Sequence, residues 1–167
     1  MPASKLTEII AALRQCQDAP IKSPGTLSNM EKAGFVIRVR AYLFDIAILF
    51  IVDGVIFEVL LHVGLEGWWP LVDLILGASY FSVLWSHASP LGAGRTVGSQ
   101  RCGLQVIRTD GSDLAFTQGL IRWAALLVSF LVLFIGVIWV AFDADKQGWH
   151  DKMAGTYVIR VSPDGSV

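Results

Sequence analysis

The sequence predicts an all-α integral membrane protein, and three observations lead to this fold class. Of the 167 residues, 54% are hydrophobic and only 16% are charged, whereas charged residues fill about a quarter of the positions in soluble domains. The mean hydropathy is +0.58. The apolar residues gather in three long segments separated by polar stretches. We therefore expect two antiparallel transmembrane helices, a third hydrophobic helical segment and a small cytosolic pair of β-strands.

Composition also excludes several classes of protein. The net charge is −1, so the chain has no overall basic field that would hold nucleic acid. Two cysteines, Cys16 and Cys102, lie far apart in polar stretches and form no CxxC motif. Two distant cysteines do not make a disulfide framework. A disordered chain, a secreted disulfide scaffold and a nucleic-acid module are therefore excluded.

The polar N-terminal stretch, residues 1–33, is expected to be a cytosolic arm. It contains no apolar run of the kind that forms the centre of a signal peptide. We expect the membrane domain to occupy residues 34–161 and a short tail to occupy residues 162–167.

The first two hydrophobic segments predict a helical hairpin. The first covers about residues 35–61, which is long enough to cross a bilayer, since a crossing needs about 20 residues. The connector, residues 62–69, ends with two tryptophans before Pro70. Such a pattern is typical of an interfacial anchor and a helix start. The second segment then covers about residues 71–86.

The third hydrophobic segment, residues 120–142, contains Gly136. Two short strand-like runs flank it in the sequence. Residues 103–108 read Gly-Leu-Gln-Val-Ile-Arg, and residues 155–161 read Gly-Thr-Tyr-Val-Ile-Arg-Val. Because the two runs are alike and both β-prone, we expect them to pair as a ribbon outside the bilayer.

The distribution of lysine and arginine predicts the orientation in the membrane. The connector carries none, and the loop of residues 86–122 carries four arginines. Since cytosolic loops are enriched in these residues, the N-terminus and this loop should be cytosolic. Six lysines and arginines precede or open the first span: Lys5, Arg14, Lys22, Lys32, Arg38 and Arg40.

The side on which the tail lies is left open by the sequence. If residues 120–142 cross the bilayer, the tail lies outside together with Lys146, Lys152 and Arg160. If the segment is broken at Gly136 and re-enters, the tail is cytosolic and its strand can pair with the cytosolic loop. Charge and strand pairing favour the second arrangement, while the length of the apolar run equally fits a plain third span.

Asp45 is the first candidate for a functional residue. A carboxylate at the centre of a span costs about 2.5–3.5 kcal/mol on insertion scales, so a cation, water, an ion or a proton must offset it. Arg38 lies seven residues earlier on nearly the same helix face, but its side chain leans toward the headgroups. Arg122 is therefore the best-placed partner, and Asp53 would extend a path from Asp45.

Three interpretations of Asp45 remain open from the residues alone. It could form a buried ion pair that fixes helix packing, bind an ion or a proton, or face a partner subunit. Metal sites are not indicated elsewhere. Residues 143–148 match the start of a calcium loop, but Ala154 stands where a bidentate glutamate is needed. His150 and Asp151 lack further ligands for zinc. No metal, cofactor or enzymatic motif is expected.

Four motifs in order resemble the RDD family of small bacterial membrane proteins. They are Arg38-Val39-Arg40-Ala41-Tyr42-Leu43-Phe44-Asp45, Gly94-Arg95-Thr96-Val97-Gly98 with Gly103-Leu104-Gln105-Val106, Leu120-Ile121-Arg122, and Gln147-Gly148-Trp149-His150-Asp151-Lys152-Met153-Ala154-Gly155-Thr156. The resemblance covers about residues 34–161.

The resemblance implies a multi-pass protein of the bacterial inner membrane with a transport role. The family's arginine and two aspartates map onto Arg38, Asp45 and Asp151, with Asp53 and Asp73 as rivals for the last. We therefore expect a component of ion or small-solute transport, through cation/proton exchange, that acts as an oligomer. The alternative is a non-catalytic accessory or assembly subunit of a larger membrane complex. Expected partners are the lipid bilayer and other protein chains, and not nucleic acid.

Overall fold

A computed structural model, which describes residues 30–132 and 135–161, shows a mostly helical protein with one small sheet. The expectations for the arm and the tail at residues 1–29 and 162–167 lie outside the described residues. The elements in chain order are α1 (Phe35–His62), a 3₁₀ turn (Glu66–Trp68), α2 (Trp69–Trp85), α3 (Val97–Arg101), β1 (Leu104–Arg108), α4 (Phe116–Leu131), α5 (Ile135–Ile138), a 3₁₀ turn (Trp139–Ala141), α6 (Trp149–Ala154) and β2 (Thr156–Arg160).

Helices α1 and α2 form a hairpin. Helix α1 has 28 residues, a length of about 42 Å at about 1.5 Å per residue. Next to the connector, the rings of Phe57 and Trp69 lie 5.6 Å apart. At the far end, the rings of Tyr42 and Phe81 lie 6.4 Å apart. Because residues early in α1 meet residues late in α2, the two helices run antiparallel.

The predicted strand pair is confirmed. Strands β1 and β2 are antiparallel, with Leu104 opposite Arg160 and Arg108 opposite Thr156. The backbone just before α1 runs along the other edge of β2, where Lys32 forms a bridge with Ile159. The sheet therefore ties the entry of α1 to two parts of the chain that lie far away in sequence.

The third hydrophobic segment is broken instead of straight. Helix α4 and the helical residues from Ile135 to Ala141 meet at an angle of 112°. A Cβ atom on Gly136 would lie 2.6 Å from Ser129 Oγ and 3.1 Å from the ring of Trp149. The returning part therefore packs closely against both α4 and α6. The sequence left a break at Gly136 as one of two possibilities. The segment is indeed broken, but the break follows Leu131, and Gly136 itself lies within α5.

Both ends of the third segment lie at the same end of the hairpin. Before it, Leu114 forms a bridge with Ser86 at the end of α2. After it, Asp145 forms an ion pair of 2.5 Å with Lys32 at the entry of α1. We call this region, residues 30–34, 86–115 and 143–161, the polar end. Its core contains Leu104 and Leu114, and Trp85 at the end of α2 belongs to the same buried cluster; all three are at most 2% exposed.

Away from the polar end, the helices present apolar side chains on their surface. Phe50, Ile51 and Val55 of α1 are 79%, 67% and 61% exposed. Within the described residues, one helical stretch, Glu66–Trp85, is long and apolar enough to cross a membrane, and the broken pair counts as a second if taken as one span. Helix α1 is longer than either of these stretches, but it is less uniformly apolar because it contains five charged residues: Arg38, Arg40, Asp45, Asp53 and Glu58.

Candidate functional site

A buried ion-pair cluster joins three distant parts of the chain at the polar end. We call Arg38, Arg122 and Asp151 the arginine–aspartate cluster; their exposed fractions are 5%, 1% and 0%. Arg38 Nη1 donates to Asp151 Oδ2 at 2.6 Å. Arg122 Nη1 forms an ion pair with the other carboxylate oxygen, Oδ1. One carboxylate thus links α1, α4 and α6.

Backbone groups complete the surroundings of Arg38. Its Nε donates to the carbonyl oxygen of Ala33 at 3.1 Å, and its Nη2 donates to that of Lys146 at 2.6 Å. Lys146 has a φ of 52°, a left-handed conformation that costs free energy in residues other than glycine. The strained turn therefore places a carbonyl group against the buried guanidinium.

Arg122 is enclosed by an aromatic ring and a hydroxyl group. Its guanidinium carbon lies 4.8 Å from the centre of the Trp85 ring, a favourable cation–π distance. Arg122 Nη1 also donates to Thr156 Oγ1 at the start of β2. Arginine suits this position because its planar group offers several donors in fixed directions.

The electrostatics of Asp151 follow from its burial and its two arginines. Burial by itself would raise the pKa of Asp151, but the charges of Arg122, of His150 once it is protonated at low pH, and of Arg38 outweigh burial and hold that pKa well below its usual range. The backbone N–H of Gly148 also donates to Asp151 Oδ2, at 2.9 Å. Asp151 is therefore a carboxylate at any pH near neutrality.

His150 lies next to the cluster and is 1% exposed. Burial lowers its pKa to about 4, against the opposing attraction of Asp151 and together with repulsion from Arg122 and Arg38. The imidazole is therefore neutral near pH 7. Its Nε2 lies 3.5 Å from Asp151 Oδ1, so the ring packs directly against the cluster.

Asp45 occupies a separate pocket formed by neutral donors. The carboxylate is 1% exposed. Tyr80 Oη donates to Asp45 Oδ1 at 2.7 Å, and the backbone N–H of Gly98 donates to the same oxygen at 2.7 Å. Thr96 Oγ1 donates to Oδ2 at 2.6 Å. The prediction that Arg122 pairs with Asp45 is therefore wrong. Arg122 forms its ion pair with Asp151, and Asp45 accepts its hydrogen bonds from hydroxyl and amide groups.

Local sequence explains why the loop presents these donors. Thr96 caps helix α3 by accepting a hydrogen bond from the backbone N–H of Ser99, and Ser99 Oγ accepts from the N–H of Thr96 in return. Such reciprocal caps fix the start of a helix. Gly98 lets the helix approach α1 closely, since a Cβ there would lie 2.9 Å from Asp45 Oδ2.

A small internal cavity lies between the Asp45 pocket and the arginine–aspartate cluster. Its volume, measured as the space open to the centre of a water molecule, is about 20 Å³. That is room for about one water molecule. Within the described residues, Arg122 Nε is buried without a hydrogen-bond partner. The polar groups that line the cavity come from Arg38, Tyr42, Asp45, Thr96, Ser99 and Arg122.

The remaining predicted residue, Asp53, lies apart from both groups. Its Oδ2 accepts a hydrogen bond from Trp69 Nε1 at 3.2 Å, so it lies near the connector end of the hairpin. The structure thus brings Arg38, Arg122 and Asp151 together, places Asp45 across the cavity, and leaves Asp53 distant. Sequence reasoning missed Tyr80, Thr96 and Gly98; the Thr96-x-x-Ser99 cap was the available signal for the last two.

Comparisons with known proteins agree with this arrangement of motifs. A family model described as RDD family matches residues 32–155. The uncharacterized protein YxaI of Bacillus subtilis (strain 168) is 30% identical over 154 residues, which covers 78% of this chain and 99% of the relative. The uncharacterized protein YckC of the same organism is 28% identical over 137 residues, covering 78% and 86%.

No solved structure matches the chain. The region that the family model matches contains the whole arginine–aspartate cluster and the Asp45 pocket. The chain belongs to the RDD family.

Proposed function

We propose that the protein is a bacterial inner-membrane protein in which α1 and α2 cross the bilayer and the third segment enters and leaves on one side. The exposed apolar side chains of α1 support contact with lipid, since water-exposed surfaces rarely carry such a belt. The return of the third segment to the polar end supports a re-entrant hairpin. Broken helices are tolerated in a membrane when protein covers the break.

The positive-inside rule orients this arrangement. The connector, residues 62–69, carries no lysine or arginine, whereas the polar end carries many. The polar end and both chain termini are therefore cytosolic in our proposal. The sheet supports a third segment that returns to the side it entered, because β1 and β2 must lie on the same side of the bilayer to pair.

A topology experiment tests this arrangement. Green fluorescent protein fused after Val167 should be fluorescent, and alkaline phosphatase at the same position should be inactive, because the former folds in the cytosol and the latter needs the periplasm. The matched control is alkaline phosphatase fused after Gly67 in the connector, which should be active. Active phosphatase at the C-terminus would show that the third segment crosses the bilayer fully.

For its activity, we propose a non-enzymatic component of proton-coupled ion transport with Asp45 as the proton-binding group. The observation that carries this proposal is the position of Asp45, a buried carboxylate that lies beside a water-sized cavity and has no direct cationic partner among the residues the structure describes. Buried acids within membrane helices are expensive, and they mark proton and ion paths. The cavity has room for about one water molecule beside Asp45, which is enough to pass a proton and too little for a hydrated metal ion.

The rest of the path must come from an assembly. A cavity for about one water molecule holds a proton carrier but no solute. A solute path therefore requires a surface between chains, and we propose a homo-oligomer whose apolar helix faces pack together.

Replacement of Asp45 by Asn tests the transport proposal. Asn keeps an acceptor for Tyr80 and Gly98 but cannot carry the proton, so proton flux should be abolished while the protein remains folded. The measurement is proton movement in proteoliposomes, followed with a pH-sensitive dye after a sodium or potassium gradient is imposed. The matched control is Asp73→Asn, an exposed acid on α2 that should leave the flux unchanged. Full flux in the Asp45→Asn protein would refute the proposal.

An accessory subunit of a larger complex is the second candidate. The internal contacts of the arginine–aspartate cluster favour it, because these charges hold the chain together and leave the apolar helix faces for a partner. Extraction in mild detergent and mass spectrometry of co-purifying proteins distinguishes the two. A stoichiometric partner would support the accessory role, and a homo-oligomer alone would support transport.

A further inference from the structure

A groove between α1 and α3 combines two arginines with an apolar wall. Its open volume is about 350 Å³, and it is lined by Ile37, Arg40, Phe44, Arg101 and Cys102. Both arginines are exposed. Within the described parts of the chain, neither guanidinium has an ion-pair or hydrogen-bond partner, unlike the two buried arginines of the cluster.

The groove lies where the polar end meets the apolar helix surface. Arg40 follows Arg38 of the cluster by two residues, and Phe44 lies one helical turn further, about 6 Å along α1 at about 1.5 Å per residue. Phe44 is 48% exposed, among the apolar side chains that we assign to lipid contact. Along α1, which we propose crosses the bilayer, the charged part of the groove at Arg40 therefore lies next to the polar end, and its apolar part at Phe44 lies deeper.

We propose that this groove binds the headgroup of an anionic phospholipid from the cytosolic leaflet, an inference that rests on the membrane arrangement proposed above. The two guanidinium groups would hold the phosphate, since arginine matches phosphate oxygens with paired donors. The wall of Ile37 and Phe44 would contact the start of an acyl chain. Basic pockets on the cytosolic side of membrane helices are suited to such lipids.

The test compares two phospholipids that share the phosphate and the acyl chains but differ in the net charge of the headgroup. The delipidated protein in mild detergent is titrated with phosphatidylglycerol or with phosphatidylcholine of the same chain length, and native mass spectrometry counts the bound molecules. We expect a clear preference for phosphatidylglycerol. In the double variant Arg40→Gln/Arg101→Gln, its affinity should fall about 25-fold, since one basic residue near an anionic surface contributes roughly fivefold.

A matched control changes the same charge elsewhere on the polar end. Arg108 and Arg160 flank the sheet and form ion pairs with Asp110 and Glu31. The variant Arg108→Gln/Arg160→Gln should therefore bind phosphatidylglycerol like the wild type. If this control lost as much affinity for phosphatidylglycerol, the groove would not be the lipid site, and the effect would come from overall charge alone.

Two further results separate this inference from the proposals on which it rests. If the protein does not float with vesicles and resist alkaline extraction, the membrane proposal itself fails. If it inserts but binds both lipids equally, the membrane proposal stands and the lipid site is overturned. Inorganic phosphate that binds as tightly as phosphatidylglycerol, with the same dependence on Arg40 and Arg101, would assign the groove to a soluble anion and overturn the lipid assignment.

Discussion

Replacement of Asp151 by Asn is expected to lower the free energy of unfolding by about 3–5 kcal/mol, the usual result of removing one partner from a buried ion pair. Asp151 is fully buried between Arg38 and Arg122. Without its charge, two buried guanidinium groups repel each other and lose their common acceptor. Because whole domains are stable by only about 5–15 kcal/mol, this loss removes a large part of the free energy of unfolding. The measurement is denaturant-induced unfolding in mild detergent, followed by tryptophan fluorescence.

A surface carboxylate provides the matched control for this variant. Asp145 forms an ion pair with Lys32, but its side chain is 57% exposed. Exposed ion pairs contribute about 0–1 kcal/mol, so Asp145→Asn should unfold almost like the wild type.

Where Asp151→Asn yields too little protein, Arg38→Lys gives a second test. Lysine keeps the charge but cannot reach Asp151, Ala33 and Lys146 together. If both variants had wild-type stability, the cluster would have no structural role.

The pH dependence gives an independent check on Asp151. Its pKa in the folded protein lies below the ordinary value of 3.8. A carboxylate of this kind contributes stability that is present above the unfolded pKa and is lost as pH falls toward the folded pKa. The difference in stability between wild type and Asp151→Asn should therefore be constant near neutral pH and shrink below about pH 4.

The parts of the fold that depend on local patterns could be predicted from the sequence. The two alike runs at residues 103–108 and 155–161 predicted the sheet, and the structure pairs Leu104 with Arg160 as an antiparallel ladder requires. The tryptophans before Pro70 predicted the start of α2. A break at Gly136 was one alternative for the third segment; the helix ends earlier, at Leu131, and Gly136 lies in α5, where its missing side chain permits the close approach to Ser129. Each of these signals lies within a few residues of the feature it predicts.

The pairing of charges could not be predicted, because it depends on distant parts of the chain. Arg38 and Asp151 are 113 residues apart. From the sequence, Arg122 was equally free to pair with Asp45, and only the folded position of α6 beside α4 decides for Asp151. The groups that donate hydrogen bonds to Asp45 could not be predicted either, because their residue types are common. Hydroxyl and amide groups are common in loops. The Thr96-x-x-Ser99 cap signals the start of a helix, but it does not identify Thr96 or Gly98 as partners of an acid that lies 51 and 53 residues earlier in the chain.

Replacement of Gly98 by Ala is also expected to be strongly destabilising. The added Cβ would point into the carbonyl oxygen of Ala41 and lie 2.9 Å from Asp45 Oδ2. Helix backbone cannot move aside easily, so α3 must shift away from α1. The shift would strain the packing, which typically costs about 1–3 kcal/mol. It would also break the Gly98 and Thr96 hydrogen bonds to Asp45, and bonds to a charged group contribute about 1.5–3 kcal/mol each.

The same unfolding measurement on Gly54→Ala is the matched control. Gly54 lies within α1, and a Cβ there would meet nothing within 4 Å. Alanine favours the helix over glycine by about 1 kcal/mol, so this variant should be slightly more stable than the wild type. If the free energy of unfolding falls for Gly98→Ala and rises for Gly54→Ala, the loss at Gly98 comes from its contact with α1 and not from helix propensity. If Gly98→Ala unfolded like the wild type, α3 would not need its close approach to Asp45, and the proposed proton-binding pocket would lose the backbone donor that shapes it.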